Sequence, residues 1–146
     1  MSARESQIVL GLDPDPARLW PDVAVQAPSD ASPSERTAAA VLAHCTAVID
    51  AAAPACAAVK PQVACFERLG APGWAALHAV AAHARAAGLL VLADGKRGDI
   101  DVTATAYAQG MVGSVPAPLG EIPGVGADAF TVNPYMGVDT LRTFVA

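Results

Sequence analysis

The sequence predicts an α/β protein in which helices cover a parallel β-sheet. Short, nearly continuous apolar runs alternate along its 146 residues with longer segments whose apolar residues recur every three or four positions. This alternation is typical of parallel strands that helices bury on both faces. Polar side chains follow the apolar runs, as expected of a sheet whose ligands gather at the carboxyl ends of its strands.

Four apolar runs are the predicted strands. They span residues 8–12, 55–59, 89–93 and 129–132. The first run stops at the segment Asp13-Pro14-Asp15-Pro16, because proline cannot donate a hydrogen bond to a β-ladder. The runs deliver polar residues to the same edge of the predicted sheet, namely Asp13, Lys60, Asp94 with Lys96, and Asn133.

Helices are predicted between these strands, and the first has a well-defined start. Ser32 is a suitable N-cap, Pro33 suits the first helical position, and Glu35 completes a capping box. The other helices are predicted from about Trp74 to near Gly88, from near Asp99 to about Gln109, and from Asp139 or Thr140 onwards. Residues 110–126 are rich in Gly and Pro and are predicted to form a loop.

Composition narrows the functional classes. The chain is 53% hydrophobic and only 16% charged, which argues against disorder. A net charge of −5 with nine lysines and arginines argues against a nucleic-acid surface. We expect no signal peptide, because residues 1–7 are polar and lack its apolar middle. We expect no membrane span, because charged residues and prolines interrupt the apolar stretches before they reach ~20 residues.

Cysteine and histidine usage predicts neither a disulfide nor a metal site. The cysteines are odd in number and have no CxxC spacing, which indicates reduced thiols and a cytoplasmic location. The histidines lie in predicted helices without carboxylate or thiol neighbours at ligand spacing. These residues are Cys45, Cys56, Cys65, His44, His78 and His83.

The most informative stretch runs from Asp94 to Ile100 and has the pattern Asp-x-Lys-x-x-Asp. Side chains two apart on a strand share a face, so Asp94 and Lys96 are predicted to lie side by side. A paired carboxylate and ammonium suit proton delivery to a developing carbanion. The alternative interpretation of this stretch is a solvated charged turn after a strand. Arg97 and Gly98 are predicted to shape this turn, with Gly98 adopting a backbone angle that other residues resist.

Four sequence blocks resemble the orotidine 5′-phosphate decarboxylase family, in particular its longer bacterial subgroup. They occur in the family's order and together span nearly the whole chain. The blocks are Gly11–Pro16, Val59–Gln62 with Phe66, Glu67 and Gly70, Asp94–Ile100, and Thr131–Gly137.

The resemblance implies a TIM (β/α)8 barrel, a fold that takes about 250 residues. Residues 1–146 would supply only the first four βα units, which is the amino-terminal half of the barrel domain. Such a half leaves its first and fourth strands as open edges, which promote pairing between chains. We therefore expect the isolated chain to be insoluble, loosely folded or self-associated.

The resemblance also implies the conversion of orotidine 5′-phosphate to uridine 5′-monophosphate and CO2 in pyrimidine biosynthesis, with no cofactor and no metal. Lys96 would protonate the carbanion, and Asp94 would lie against the substrate carboxylate. Asp13 and Lys60 would bind the ribose hydroxyls, and Lys60 would also order Asp94.

Family members are homodimers, and part of this chain would serve the neighbouring subunit. Asp99, Ile100 and Thr103 match the segment that enters the neighbouring site, where Asp99 would act with the catalytic lysines. Asn133 would either contact substrate or rigidify its loop. The residues that grip the phosphate and the pyrimidine would lie on later strands, so we expect the chain alone to be nearly inactive.

Two other functions stay open. Related barrel enzymes, such as magnesium-dependent sugar-phosphate decarboxylases and synthases, share the Asp-x-Lys-x-x-Asp pattern. The Lys60-Pro61-Gln62 and Asn133–Gly137 blocks favour the orotidine family over them. The second alternative is a non-catalytic half-barrel that binds a nucleotide or a partner chain.

Overall fold

A computed structural model describes residues 5–21 and 27–145 of the chain. Four of its strands form one parallel sheet in the order β1-β2-β3-β6, and β4 pairs with β5 in a separate antiparallel hairpin. The strands are β1 Val9–Leu12, β2 Ala58–Pro61, β3 Leu90–Arg97, β4 Ser114–Ala117, β5 Gly120–Pro123 and β6 Ala129–Val132. The predicted α/β class and parallel sheet are confirmed.

Helices connect the strands of the sheet. They are α1 Pro33–Ala52, α2 Val63–Glu67, α3 Ala71–Ala86, α4 Asp101–Met111 and α5 Val138–Val145, with 3₁₀ turns at Ala53–Ala55 and Pro134–Met136. The predicted helices correspond to α1, α3, α4 and α5. The one-turn helix α2 has too few residues to show a helical period and was missed.

The first helix begins as predicted. The Glu35 backbone N–H donates to the Ser32 hydroxyl, and the Ser32 backbone N–H donates to the Glu35 carboxylate at 2.7 Å. By length and composition, Pro33–Ala55 could cross a membrane, so the expectation that every apolar stretch is too short was wrong. Here α1 packs on α3, and one of its faces is fully buried through Val41, Cys45 and Ile49.

The core lies between the sheet and its helices, and the other face of the sheet is partly open. Val59 of β2 and Val91 of β3 are paired in register and buried. The adjacent row on the opposite face joins Val9, Ala58 and Leu90, of which Val9 is 48% and Leu90 50% exposed. Within the described residues, β1 pairs only with β2 and β6 only with β3, so the predicted open edges are present.

Two predicted boundaries were wrong in ways that affect the site. The strand β2 extends beyond residue 59, and β3 extends to Arg97, so Lys60, Asp94 and Lys96 lie within strands and not behind them. The register of β3 against β6 shifts between Ala93 and Arg97, which marks a bulge at the charged stretch.

The segment predicted as a loop contains the β4–β5 hairpin. Val115 pairs with Ile122, and Gly120, the first residue after the turn, has a φ of +127°. Its prolines are compatible with a strand because a two-stranded hairpin leaves the outer N–H groups without ladder partners. Gly and Pro content therefore indicated the turn correctly but concealed the short strands on either side.

Candidate active site

Three charged side chains from two adjacent strands meet at the carboxyl end of the sheet. The Lys60 Nζ lies 2.9 Å from the Asp94 Oδ2, and the Lys96 Nζ lies 2.7 Å from the same oxygen. Asp94 is only 6% exposed, whereas the side chains of Lys60 and Lys96 are 33% and 58% exposed. The predicted juxtaposition of Asp94 and Lys96 is confirmed, and Lys60 joins them.

Two neutral side chains complete the surroundings of Asp94. The Thr131 hydroxyl donates to Oδ1 at 2.7 Å, and the Gln62 amide donates to Oδ2 at 3.0 Å. The sequence reasoning gave neither residue a role. A signal was available, because Gln62 stands two residues after Lys60 on the same face of the chain, and Thr131 lies on the fourth strand.

These contacts keep the buried carboxylate charged. Burial by itself would raise the pKa of Asp94, but the hydrogen bonds from Lys96, Lys60 and Thr131 outweigh it and hold that pKa well below its usual range. The hydrogen bond to Asp94 raises the pKa of Lys60, although burial opposes this. The cluster therefore presents a fixed negative charge between two amines.

Lys96 reaches Asp94 from an unusual backbone conformation. Its φ is +48°, in the left-handed region that costs most residues about 1–2 kcal/mol. The backbone N–H of Lys96 donates to the Thr131 hydroxyl at 2.9 Å, and the Asn133 amide donates to the Lys96 carbonyl at 3.0 Å. Neighbouring elements thus hold this conformation, as expected of a strained functional residue.

The Asn133 side chain binds the Lys96 backbone, which supports its structural role, and its contact with substrate stays a prediction. Asn133 also explains why residue 98 is a glycine. The φ of Gly98 is not positive, so the expectation of a special backbone angle was wrong. A Cβ at Gly98 would instead lie 2.8 Å from the Asn133 carbonyl oxygen, so glycine is needed for close approach.

Asp13 lies at the end of β1 and is exposed. Its charge contributes to the raised pKa of Lys60, which places the two residues in the same electrostatic neighbourhood. Asp13 also lines a cavity of about 370 Å³ with Asp15, Arg18 and His44. A carboxylate at this position can accept hydrogen bonds from hydroxyl groups of a ligand.

The remaining predicted residues are Asp99, Ile100 and Thr103, which have local contacts or are exposed. The Asp99 carboxylate accepts from the Ile100 backbone N–H at 2.8 Å, Ile100 is 45% exposed, and Thr103 is exposed on α4. Among the described residues, none of the three forms a hydrogen bond to Lys60, Asp94 or Lys96. Their assignment to a neighbouring site stays a prediction.

Cys45, Cys56 and Cys65 are not joined by disulfide bonds, as predicted. Burial raises the pKa of Cys45 to about 12, which makes this thiol unreactive. His83 contacts the Asp50 carboxylate of α1 at 2.6 Å, a pairing between distant residues that sequence spacing could not indicate. Within residues 5–21 and 27–145, no three His, Cys, Asp or Glu side chains come close enough together to hold a metal ion.

The sequence of this chain matches a known protein family. The model of the orotidine 5′-phosphate decarboxylase / HUMPS family matches residues 6–146. The chain belongs to this family. The match covers the sheet, the charged cluster and the segment carrying Asp99, Ile100 and Thr103.

Individual relatives carry the decarboxylase name. The orotidine 5′-phosphate decarboxylase of Deinococcus radiodurans is 53% identical over 98 residues, which are 67% of this chain and 33% of the relative. That of Roseiflexus castenholzii is 38% identical over 141 residues, which are 97% of this chain and 43% of the relative. The chain thus spans less than half the length of these relatives.

A solved structure supports the partial barrel. The OMP decarboxylase of Leishmania donovani superposes with a TM-score of 0.71 at 35% identity, over 98% of this chain and 45% of its own length. The four parallel strands described here are therefore a partial TIM barrel of the decarboxylase family, as the sequence predicted.

Proposed function

We propose that this chain supplies the amino-terminal half of an orotidine 5′-phosphate decarboxylase, which forms uridine 5′-monophosphate and CO2 in pyrimidine biosynthesis. The observation that carries the proposal is the contact of Lys60 and Lys96 with the buried, charged carboxylate of Asp94. The names of the relatives support the choice of substrate.

The chemistry follows from the placement of Lys96. When the bond between ring carbon 6 and the carboxyl group breaks, CO2 leaves and the electron pair stays on carbon 6. A positive ammonium held in place beforehand stabilises this developing negative charge without reorganisation. Lys96 then transfers a proton to carbon 6 and regains one from solvent. Asp94 keeps Lys96 in position at 2.7 Å, and in this scheme it would face the carboxylate that leaves.

Lys60 and Asp13 would bind the ribose hydroxyls. Lys60 is held by Asp94 yet remains one-third exposed, so it can donate a further hydrogen bond to a ligand. Asn133 would act through the Lys96 backbone, and contact with substrate is the less favoured of its two roles. No step in this scheme requires a cofactor or a metal.

We further propose that the complete enzyme is a cytoplasmic homodimer. Asp99, Ile100 and Thr103 would enter the site of the neighbouring subunit, with Asp99 beside its lysines and Ile100 near the leaving carboxylate. Support comes from their exposure and from the local character of the Asp99 contact.

The test is complementation of the half barrel. The chain is co-expressed with the carboxyl-terminal portion of the Deinococcus radiodurans relative, and conversion of orotidine 5′-phosphate is followed in the purified assembly. We expect the assembly to be active, either half alone to be nearly inactive, and the Lys96→Ala assembly to be inactive. Arg36→Ala, at an exposed position on α1, is the control and should retain activity.

Other outcomes would favour the alternatives. Activity of an assembly that requires added magnesium and acts on a sugar phosphate would support the metal-dependent relatives. An assembly that binds uridine 5′-monophosphate tightly but shows no turnover would support a binding function. Substantial turnover by the 146-residue chain alone, abolished by Lys96→Ala, would contradict the need for later strands.

A further inference from the structure

Arg97 follows Lys96 in the chain and contacts three elements, α2, α4 and its own strand β3. Its guanidinium donates to the Glu67 carboxylate at the end of α2 at 2.8 Å, and it lies 5.5 Å from the centre of the Tyr107 ring on α4. It also donates to the Gly95 carbonyl on its own strand at 3.1 Å. The Arg97 side chain is 20% exposed and that of Glu67 is 43% exposed, so Arg97 is largely covered whereas its anchor faces solvent.

The bond to Gly95 spans Lys96. Gly95 and Arg97 flank Lys96. The Arg97 side chain folds back onto the Gly95 carbonyl and thereby closes a short loop around Lys96. The loop lies at the bulge where the register of β3 shifts against β6. On the other side, the Arg97 carbonyl accepts from the Asn133 N–H at 2.6 Å, so both backbone ends of the bulge are fixed.

Lys96 needs such support because its backbone is in a disfavoured region. With a φ of +48°, the residue would relax towards an extended conformation if its neighbours allowed it. In a regular strand the register shift would be lost, and the Lys96 ammonium would move relative to Asp94. Thr131 of β6 and Asn133, which follows β6, bind the Lys96 backbone, and Arg97 is anchored on the side of the helices α2 and α4.

We propose that Arg97 is a positioning residue. Anchored by Glu67 and Tyr107, it holds the bulge of β3 in the form that keeps the Lys96 ammonium on Asp94. Arg97 touches none of the three charged groups itself, so its effect passes through the backbone of Lys96. The catalytic consequence of this role rests on the proposed decarboxylase function, whereas the structural consequence does not.

The chain offers a direct readout because it contains only two lysines, Lys60 and Lys96, and both contact Asp94. Reductive methylation of the 146-residue chain, quantified by peptide mass spectrometry, therefore reports on the cluster alone, with the amino terminus as the reference amine. A charge-assisted hydrogen bond protects an amine from the reagent, and its loss exposes the amine.

Three variants define the test. Arg97→Met keeps much of the side-chain length and removes all three contacts. Glu67→Gln weakens the bond that anchors Arg97 but leaves Arg97 itself unchanged. The control is Arg85→Met, since Arg85 makes comparable bonds to the Val125 and Gly126 carbonyls away from the cluster. We expect Arg97→Met to raise the methylation rate of Lys96 about tenfold, Glu67→Gln to raise it less, and Arg85→Met to leave it unchanged.

The opposing result is equally defined. An unchanged Lys96 rate in Arg97→Met, or an equal rise at Lys60 and Lys96 in both Arg97→Met and Arg85→Met, would overturn the proposal, the latter because it indicates general loosening. In the complemented enzyme, Arg97→Met should lower kcat about tenfold with little change in KM. An assembly without activity in any form would refute the decarboxylase function and leave the methylation result standing.

Discussion

Thr131 provides the sharpest test of how the cluster is held together. Its hydroxyl donates to the Asp94 carboxylate at 2.7 Å and accepts from the Lys96 backbone at 2.9 Å, so one oxygen connects the buried charge to the strained residue. Thr131→Val removes this oxygen with almost no change in shape. The variant leaves Asp94 with one donor fewer and the Lys96 N–H without its acceptor.

The expected loss of stability follows from these two contacts. A hydrogen bond to a charged group contributes about 1.5–3 kcal/mol, and an N–H left without an acceptor loses about 1–3 kcal/mol. Thr131 is only partly buried, so water recovers part of this loss. We expect the free energy of unfolding to fall by about 2–3 kcal/mol, which lowers the Tm of a chain of this size by roughly 5–10 °C.

Urea denaturation at several protein concentrations measures this change. Thr131→Ser, which keeps the hydroxyl, should lose much less stability than Thr131→Val. Thr37→Val is the matched control, because the Thr37 hydroxyl only donates to the Pro33 carbonyl within α1, and it should change stability by less than about 0.5 kcal/mol. Equal losses in Thr131→Val and Thr37→Val would refute the idea that Thr131 connects the cluster.

Four further predictions concern pH, packing and the open edges. The pKa of Asp94 is lowered in the folded state. The Asp94 carboxylate therefore stabilises the fold fully above its unfolded pKa of ~3.9, and this stabilisation is lost as the pH falls below that value. Acid unfolding should show a smaller loss of stability below about pH 4 in Asp94→Asn than in the parent. The pKa of Lys60 is raised in the folded state, so its charge stabilises the fold fully below pH ~10.4 and less at higher pH. The free energy of unfolding of Lys60→Met should therefore fall less steeply above that pH than that of the parent. Gly98→Ala should lower the Tm through a loss of about 1–3 kcal/mol, since the new Cβ meets the Asn133 carbonyl, and thermal unfolding that matches the parent would contradict the close approach. The chain alone should self-associate through β1 and β6, and sedimentation should show less association for Ala129→Lys, which places a charge on the open strand β6.

Features that depend on neighbouring residues could be predicted from the sequence. The start of α1 is encoded by Ser32, Pro33 and Glu35, which act on one another within a single turn. The pairing of Asp94 with Lys96 follows from the two-residue period of a strand, and their closeness to Lys60 follows from parallel strands ending at one edge.

Features that depend on distant contacts could not be predicted. The left-handed backbone of Lys96 is held by Thr131 and Asn133, which lie 35 and 37 residues further along the chain. No local pattern marks a lysine for that conformation, which glycine adopts more readily. The hairpin at 114–123 was missed for another reason, since its strands are four residues long and contain prolines.

The order of the sheet has a consequence for synthesis on the ribosome. The four strands lie in the sheet in the same order as in the chain, so that β1 pairs with β2, β2 with β3, and β3 with β6. Such nearest-neighbour pairing lets each strand dock as it leaves the exit tunnel, in keeping with folding from the amino terminus during translation. Lys60, Asp94 and Lys96 can therefore meet as soon as β3 has docked on β2.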